Sequence, residues 1–174
     1  MKRTAAAALT VALAIALAAA VSSSDRNPPR QLKNFAQLLS ALEAGARVRA
    51  VFHYKDMKLV VKGKEETRIP EAVGGMDVGA FEYFAPGAIG NKEGFLSFSH
   101  LQLIKHARYG TVYNYVKVSA DETNKVRILA QYLAPGTFAV KMEETFETEI
   151  NDGANKGGAY FYLAGPDGES RPSP

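Results

Sequence analysis

The fold is decided by a stretch that reads Thr111-Val-Tyr-Asn-Tyr-Val-Lys-Val-Ser119, then Asp121-Glu-Thr-Asn124, then Lys125-Val-Arg-Ile-Leu-Ala-Gln-Tyr132. In both long segments apolar and polar side chains alternate, which is the period of a strand with one face on the core. The short polar segment between them suits a tight turn. Strands that are polar on one face favour antiparallel sheets, because parallel sheets need near-continuous apolar runs and crossover helices. The stretch therefore predicts an antiparallel hairpin.

The same alternation recurs on both sides of this hairpin, most clearly in Val48–Tyr54 and Phe138–Glu147. Shorter strand-like runs lie at Lys58–Val61, Ala80–Ala85, Phe95–Ser99, Leu101–Ile104 and Ala159–Leu163. Turn residues separate the runs, for example at Gly63-Lys64, Gly74-Gly75, Pro86-Gly87 and Pro135-Gly136. The sequence thus predicts a mainly β (α+β) fold, an antiparallel meander of about eight or nine strands that forms either a barrel or a sandwich.

One amphipathic helix is predicted near the N-terminus, over residues 35–44. Asn34 and Gln37 have the spacing of a capping box at its start, and Gly45 suits its end. Its apolar stripe consists of Leu32, Phe35, Leu38, Leu39 and Leu42. This helix is expected to cover one face of the sheet or one end of a barrel.

The N-terminal residues have the three parts of a secretory signal: basic Lys2 and Arg3, an apolar run from Ala5 to Val21, and small residues at its end. Cleavage is expected after Ala20, with Ser22 as the alternative; an uncleaved membrane anchor is the competing interpretation. The alanine-rich run is shorter than the roughly 20 residues of a spanning helix. We therefore expect an exported protein, periplasmic or secreted, without a membrane span once the signal is removed. The predicted organisation is 1–20 signal peptide, 21–31 flexible leader, 32–164 one domain and 165–174 disordered tail.

Composition narrows the classes of function. The chain has no cysteine, which excludes disulfides, a thiol nucleophile and a cysteine metal site. It has 21 Lys and Arg against 18 Asp and Glu, and the loss of Lys2 and Arg3 with the signal would leave a net charge of +1. A near-neutral domain offers no electrostatic basis for binding nucleic acid. We expect a monomer that binds an unknown small ligand or protein partner.

Several separated blocks of the sequence resemble the VirK protein family. They are Asn34–Gly45, Val48–Tyr54, Gly74-Gly75-Met76, Phe81–Ala85, Arg108–Lys117 and Glu144-Thr-Phe146, and together they span roughly residues 32–163. The family's name implies a link to bacterial virulence regions, but the resemblance transfers no catalytic residue. It also implies a cysteine near Tyr54–Leu59. This chain has Met57 there, which argues against a thiol-based role.

No catalytic motif is evident. His53, His100 and His106 have no metal-binding spacing, and no Gly-x-Ser-x-Gly elbow or phosphate loop occurs. We therefore predict neither a metal nor a cofactor. Glu144 has the inward parity of its strand, so it should need a partner such as Arg108 or a tyrosine hydroxyl. Glu82, between aromatic residues, is expected to be buried in the same way.

The aromatic residues are the more suggestive feature, because tyrosine combines apolar area with a polar tip that suits ligand contact. Tyr113 and Tyr115 point away from the valine face of their strand, so they lie either on a binding surface or, by a small preference, in a core between two sheets. The candidate ligand-binding residues are Glu82, Tyr83, Arg108, Tyr109, Tyr113, Tyr115 and Glu144. The favoured hypothesis is a non-enzymatic binding domain. The alternative is a small hydrolase that uses a carboxylate or histidine at the mouth of a barrel.

Overall fold

The structure is a computed structural model that describes residues 29–164. Its one α-helix is α1, Phe35–Glu43, and a 3₁₀ turn covers Tyr54–Asp56. The strands are β1 Gln31–Leu32, β2 Val48–His53, β3 Lys58–Val61, β4 Lys64–Glu66, β5 Val73–Val78, β6 Phe81–Phe84, β7 Phe95–His106, β8 Gly110–Asp121, β9 Lys125–Leu133, β10 Val140–Glu149 and β11 Ala159–Leu163. The predicted signal peptide, the leader up to residue 28 and the tail from residue 165 lie outside the described residues. Gln31, expected in the leader, instead belongs to β1 and pairs with Tyr162 of β11.

The strands form two antiparallel sheets that pack as a sandwich. The smaller sheet has the order β1-β11-β2-β5, and the larger has the order β4-β3-β10-β9-β8-β7-β6. From β6 to β10 each strand pairs with the next along the chain, which confirms the predicted meander and its central β8–β9 hairpin. Of the two architectures left open by the sequence, the sandwich is therefore the correct one.

The core lies between the inner faces of the two sheets. Phe161 of β11, in the smaller sheet, contacts Phe98 of β7, in the larger, with ring centroids 6.4 Å apart. It also contacts its neighbour Phe52 of β2 at 6.5 Å. Met57, at the position where the resemblance implies a cysteine, is buried in this core. Aromatic rings from both layers therefore hold the sheets together.

Helix α1 has the expected caps and the expected buried face. The Asn34 side chain accepts a hydrogen bond from the Gln37 N–H at 2.9 Å, which satisfies one of the free donors of the first turn. The Gln37 side chain accepts from the Lys33 N–H at 2.8 Å, one residue earlier than in a standard capping box. Leu38 and Leu42 are buried against the core. Within residues 29–164, no helix has the length and apolarity needed to cross a membrane.

Three strand predictions were wrong. Phe95–Ser99 and Leu101–Ile104, predicted as two separate runs, belong to the single strand β7, which continues through His100. Gly74-Gly75 lies within β5, paired with β2, rather than in a turn. Glycine is required at position 74 because a Cβ there would collide with the Tyr54 side chain. Phe138 precedes β10 with a φ of 56° and is 56% exposed, so it is not an inward strand residue.

Replacing Gly157 by alanine should lower the free energy of unfolding by about 1–3 kcal/mol, the usual cost of overpacking. The new Cβ would meet the backbone carbonyl oxygen of Glu149, with the carbonyl carbon 3.0 Å away. Backbone atoms of a strand cannot move aside cheaply. Urea denaturation measures the loss.

Gly79→Ala is the matched control, because a Cβ at Gly79 has nothing within 4 Å and neither glycine has a positive φ. It should leave stability unchanged or raise it by about 0.4–1 kcal/mol, through the lower entropy of the unfolded chain. Equal stability of the two variants would contradict the close approach at Gly157.

Candidate functional site

The larger sheet extends beyond the smaller one. On β7, Leu96 and Phe98 are buried, but every residue from Ser99 to Leu103 is exposed, on both faces of the sheet. His100 and Gln102 share the inner face with Phe98, so the smaller sheet does not cover this part. The protruding half of the β7–β8 hairpin therefore offers two open faces, and four of the seven predicted site residues lie on or beside it.

Glu82 and Tyr83 lie away from this region. Both are in β6, which pairs with the opposite end of β7. Glu82 is exposed, so the expectation of a buried carboxylate there was wrong. It sits on the outer side of a strand whose alternate residues face inward. The Tyr83 hydroxyl donates a hydrogen bond to Glu122 Oε1 at 3.0 Å, and its ring packs near Phe35. This hydrogen bond links β6 to the β8–β9 turn.

Three rings meet at the β7–β8 turn. The ring centroid of His106 lies 4.9 Å from that of Tyr109 and 4.8 Å from that of Tyr132, and the two tyrosines are 5.7 Å apart. His106 Nδ1 accepts hydrogen bonds from the backbone N–H groups of Arg108 and Tyr109, at 3.1 and 3.3 Å. In the neutral imidazole its proton is therefore on Nε2. The turn itself thus fixes the orientation of the histidine.

Arg108 is exposed, and its guanidinium lies over the Tyr109 ring, 5.4 Å from the centroid. This cation–π contact places a positive charge at the rim of the ring cluster. Arg108 makes no ion pair with Glu144, so the first of the two partners considered for this carboxylate does not pair with it. Its guanidinium contacts the Tyr109 ring instead.

Glu144 is half-buried on the inner face of β10, between Met142 and Phe146, as its parity predicted. It makes no hydrogen bond or ion pair with any residue from 29 to 164. Burial raises the pKa of this carboxyl group above its ordinary value. The expected hydrogen-bonding partner is therefore missing, and the carboxylate is open to one from outside.

Two tyrosine hydroxyls lie within electrostatic range of this carboxylate. Burial is the main cause of a raised pKa at Tyr54, with further contributions from Tyr132 and Glu144. Burial also raises the pKa of Tyr132, and Glu144 and Tyr109 add to it. The Tyr54 ring rests on Phe146, 4.6 Å between centroids. We call the five residues Tyr54, His106, Tyr109, Tyr132 and Glu144 the inner cluster.

Tyr113 and Tyr115 lie on the other face of the sheet. Both are half-buried and neither belongs to the core, so the preference for a core position was wrong: no second sheet covers this face within residues 29–164. Tyr113 stacks on Phe138 at 5.8 Å. It belongs to what we call the outer row, four apolar residues paired across four strands: Leu103, Tyr113, Leu133 and Val140.

Sequence reasoning missed Tyr54, Tyr132 and His106 as site residues. Tyr132 could have been found from the alternation of its strand, where it is the last inward-facing residue. Tyr54 could not, because nothing in the sequence places the connection between β2 and β3 close to Glu144. Among the described residues, no three His, Asp or Glu side chains converge as metal ligands.

Replacing Glu144 by glutamine should raise the melting temperature at pH 7. Burial raises the pKa of Glu144 in the folded protein. The contribution of this group to the free energy of unfolding is therefore fully present below the unfolded-state pKa near 4.5, and it is lost as the pH rises through the folded-state pKa. Glutamine stays neutral, so the gain should shrink to nothing below pH 4.5. Melting curves from pH 3 to 8 measure it.

Glu149→Gln, on the exposed face of the same strand, is the control and should show no such pH-dependent gain. A Glu144→Gln variant that is less stable than the wild type at neutral pH would mean that the carboxylate has a stabilising partner after all.

The structure thus defines this protein as a two-layer antiparallel β-sandwich with few helices and an uncovered aromatic and acidic sheet face. The chain belongs to the VirK family: the family model for VirK protein matches residues 31–138. The fold is similar to that of lpg1832, a VirK family protein from Legionella pneumophila, with a TM-score of 0.58 and 12% identity over 76% of this chain and 98% of that one. At that identity the likeness shows the fold alone. None of the curated proteins matches this chain.

Proposed function

We propose that this protein is an exported, non-enzymatic binding domain, virulence- or host-associated as its family name implies, and that the inner cluster is its ligand site. One observation supports this above the others. Glu144 is a half-buried carboxylate without a partner among residues 29–164, and it lies beside tyrosine rings on a sheet face that the sandwich leaves open. A carboxylate in this setting is costly unless something else pairs with it.

The chemistry of the inner cluster favours a particular kind of ligand. Glu144 suits a hydrogen-bond donor or a positively charged group. The rings of Tyr109 and Tyr132 offer π faces for a flat or apolar part. Arg108 at the rim would bind a separate acceptor on a larger ligand. We therefore favour a small amphiphilic molecule with a donor or cationic group.

Native mass spectrometry of the mature protein, purified from its own exported fraction, tests this function. We expect a bound mass of about a few hundred daltons that is lost on denaturation, as for a small-molecule site. Tyr132→Ala should lose it. Tyr115→Ala, a half-buried tyrosine of the neighbouring strand on the outer face, should keep it. An adduct that survives Tyr132→Ala would contradict the site, and a co-purifying protein without an adduct would indicate an interaction domain instead.

Export is tested in the same preparation. N-terminal sequencing of the periplasmic or secreted protein should begin at Val21, or at Ser23 if the alternative site is used. A chain that retains Met1 and stays in the membrane fraction would contradict the cleaved signal.

A small hydrolase is the second candidate, because the raised pKa of Glu144 is the property of a general acid. The inner cluster has a histidine but no second carboxylate. Glu144→Gln separates the two functions. If the protein is an enzyme, the wild type should turn over a substrate in a panel of glycosides and esters, and Glu144→Gln should abolish that turnover. If it is a binding domain, the wild type should turn over none of these substrates.

A further inference from the structure

Half of β7 is an open strand edge. On one side β8 pairs with β7 along its whole length, from Phe95 opposite Asp121 to His106 opposite Gly110. On the other side β6 pairs only with Phe95–Phe98. No strand within residues 29–164 pairs with that side of Ser99–His106. Its outward N–H and C=O groups are therefore free to pair with another strand.

This edge lacks the features by which proteins usually protect an open strand. Such edges are blunted by proline, by bulges or by several charges. Ser99–His106 contains no proline and a single lysine, Lys105, and it pairs with β8 without any shift in register. Leu101 and Leu103 on it are 48% and 56% exposed. A regular edge that exposes two leucines is suited to strand addition.

The outer row ends at this edge. Leu103 is opposite Tyr113, Tyr113 is opposite Leu133, and Leu133 is opposite Val140. Val140, at the far end of the row, is 53% exposed. Exposed apolar patches of this kind mark interaction sites. A partner strand added at this edge would pair with the backbone of β7 and would also bury Leu103.

We propose that the partner is a second copy of this chain, whose own β7 edge pairs antiparallel with this one about a twofold axis through Leu103. A twofold axis perpendicular to the sheet leaves each side chain on its own face, and directly opposed residues of antiparallel strands share a face. The axis must therefore pass midway between two copies of the same residue. His100 then lies opposite His106 of the partner subunit, and Leu103 lies opposite Leu103 of the partner subunit. The outer rows of the two subunits then join into one row that crosses the larger sheet of each subunit.

The length of the open edge selects this register. An axis through Gln102 would put His106 of the partner subunit opposite Phe98, where Phe81 of β6 already pairs. An axis through Ile104 would shorten the paired stretch. Leu103 therefore gives the longest pairing that β6 permits.

The charges along the edge are compatible with self-pairing. Lys105 lies opposite Leu101 of the partner subunit, so no two lysines oppose each other, and like charges directly opposite would be destabilising. The paired stretch is shorter than the roughly 20–30 residues per side of a standard interface, so the dimer should have a Kd of about 1 µM or weaker. This departs from the monomer expected from the sequence, and the following measurements decide between them.

A single introduced cysteine tests the register directly, because the chain has none of its own. Directly opposed residues of antiparallel strands have Cα atoms about 4.5–5.5 Å apart, within the range that a disulfide spans. Oxidation of Leu103→Cys should therefore give a covalent dimer on a non-reducing gel. Ile89→Cys, 65% exposed in the β6–β7 loop, is the matched control and should cross-link at least about tenfold more slowly. Equal rates would overturn the proposal.

Sedimentation velocity over a concentration series tests the dimer without a cross-link. The wild-type mass should rise towards twice that of the monomer. Leu103→Lys should raise the Kd at least about tenfold, because it opposes two ammonium groups at the axis. Ile89→Lys should leave it unchanged, and melting curves confirm that both variants fold. A monomer at every concentration, or a dimer indifferent to Leu103→Lys, would overturn the proposal; the first result would leave the edge for a strand of another protein.

Discussion

Replacing Phe161 by alanine is expected to lower the free energy of unfolding by about 3–5 kcal/mol, the largest single loss we predict. Phe161 is inaccessible to solvent and contacts Phe98 of the opposite sheet and Phe52 of its own. Its removal costs the transfer energy of the ring and leaves a cavity between two sheets, neither of which can collapse into it. Urea denaturation followed by circular dichroism measures the loss.

Phe138→Ala is the control, because the same ring at this position is 56% exposed and belongs to a turn. It removes a stacking contact with Tyr113 and should cost no more than about 1.5 kcal/mol. If the two variants lost the same stability, Phe161 would not be the contact that joins the layers.

Replacing Leu38 by alanine is expected to cost about 2–5 kcal/mol. Leu38 lies in the middle of α1 and is fully buried in the core. Alanine is the better helix former, so the loss reports packing rather than helix propensity. The same denaturation experiment measures it.

Leu39→Ala, the next residue of the helix, is half-buried and should cost clearly less. A loss below about 0.5 kcal/mol for Leu38→Ala would mean that the helix does not dock on the sheets as described.

Much of the local structure was predictable because it depends on local spacing. The β8–β9 hairpin follows from the alternation of Thr111–Tyr132 and the polar turn between its strands. Helix α1 follows from its leucine stripe and from Asn34, whose side chain caps the first turn. Glu144 was placed on the inner face by parity alone, and it is there. In each case the signal and the structure lie within a few residues of one another.

The errors arose where distant residues decide the outcome. Gly74-Gly75 is a typical turn sequence, but in β5 the glycine makes room for the Tyr54 ring. Tyr113 and Tyr115 would be buried only if a second sheet covered their face. No such sheet exists among the described residues, because the smaller sheet packs on the opposite face. The inner cluster combines residues from the β2–β3 connection, the end of β7, the β7–β8 turn, β9 and β10, so no single segment of the sequence indicates it.

The sequence by itself therefore determined that this protein is an antiparallel β domain with one capped helix, because the period of the side chains fixes the type of each element and its buried face. Only the tertiary structure decided between sandwich and barrel, left one edge of β7 unpaired over half its length and brought Tyr54 close to Glu144. The physical reason is that these features depend on which strands pair and where each sheet ends. Strand pairing and the packing of one sheet on the other depend on contacts between residues far apart in the chain, such as Phe98 with Phe161 across the two layers, which local alternation does not encode.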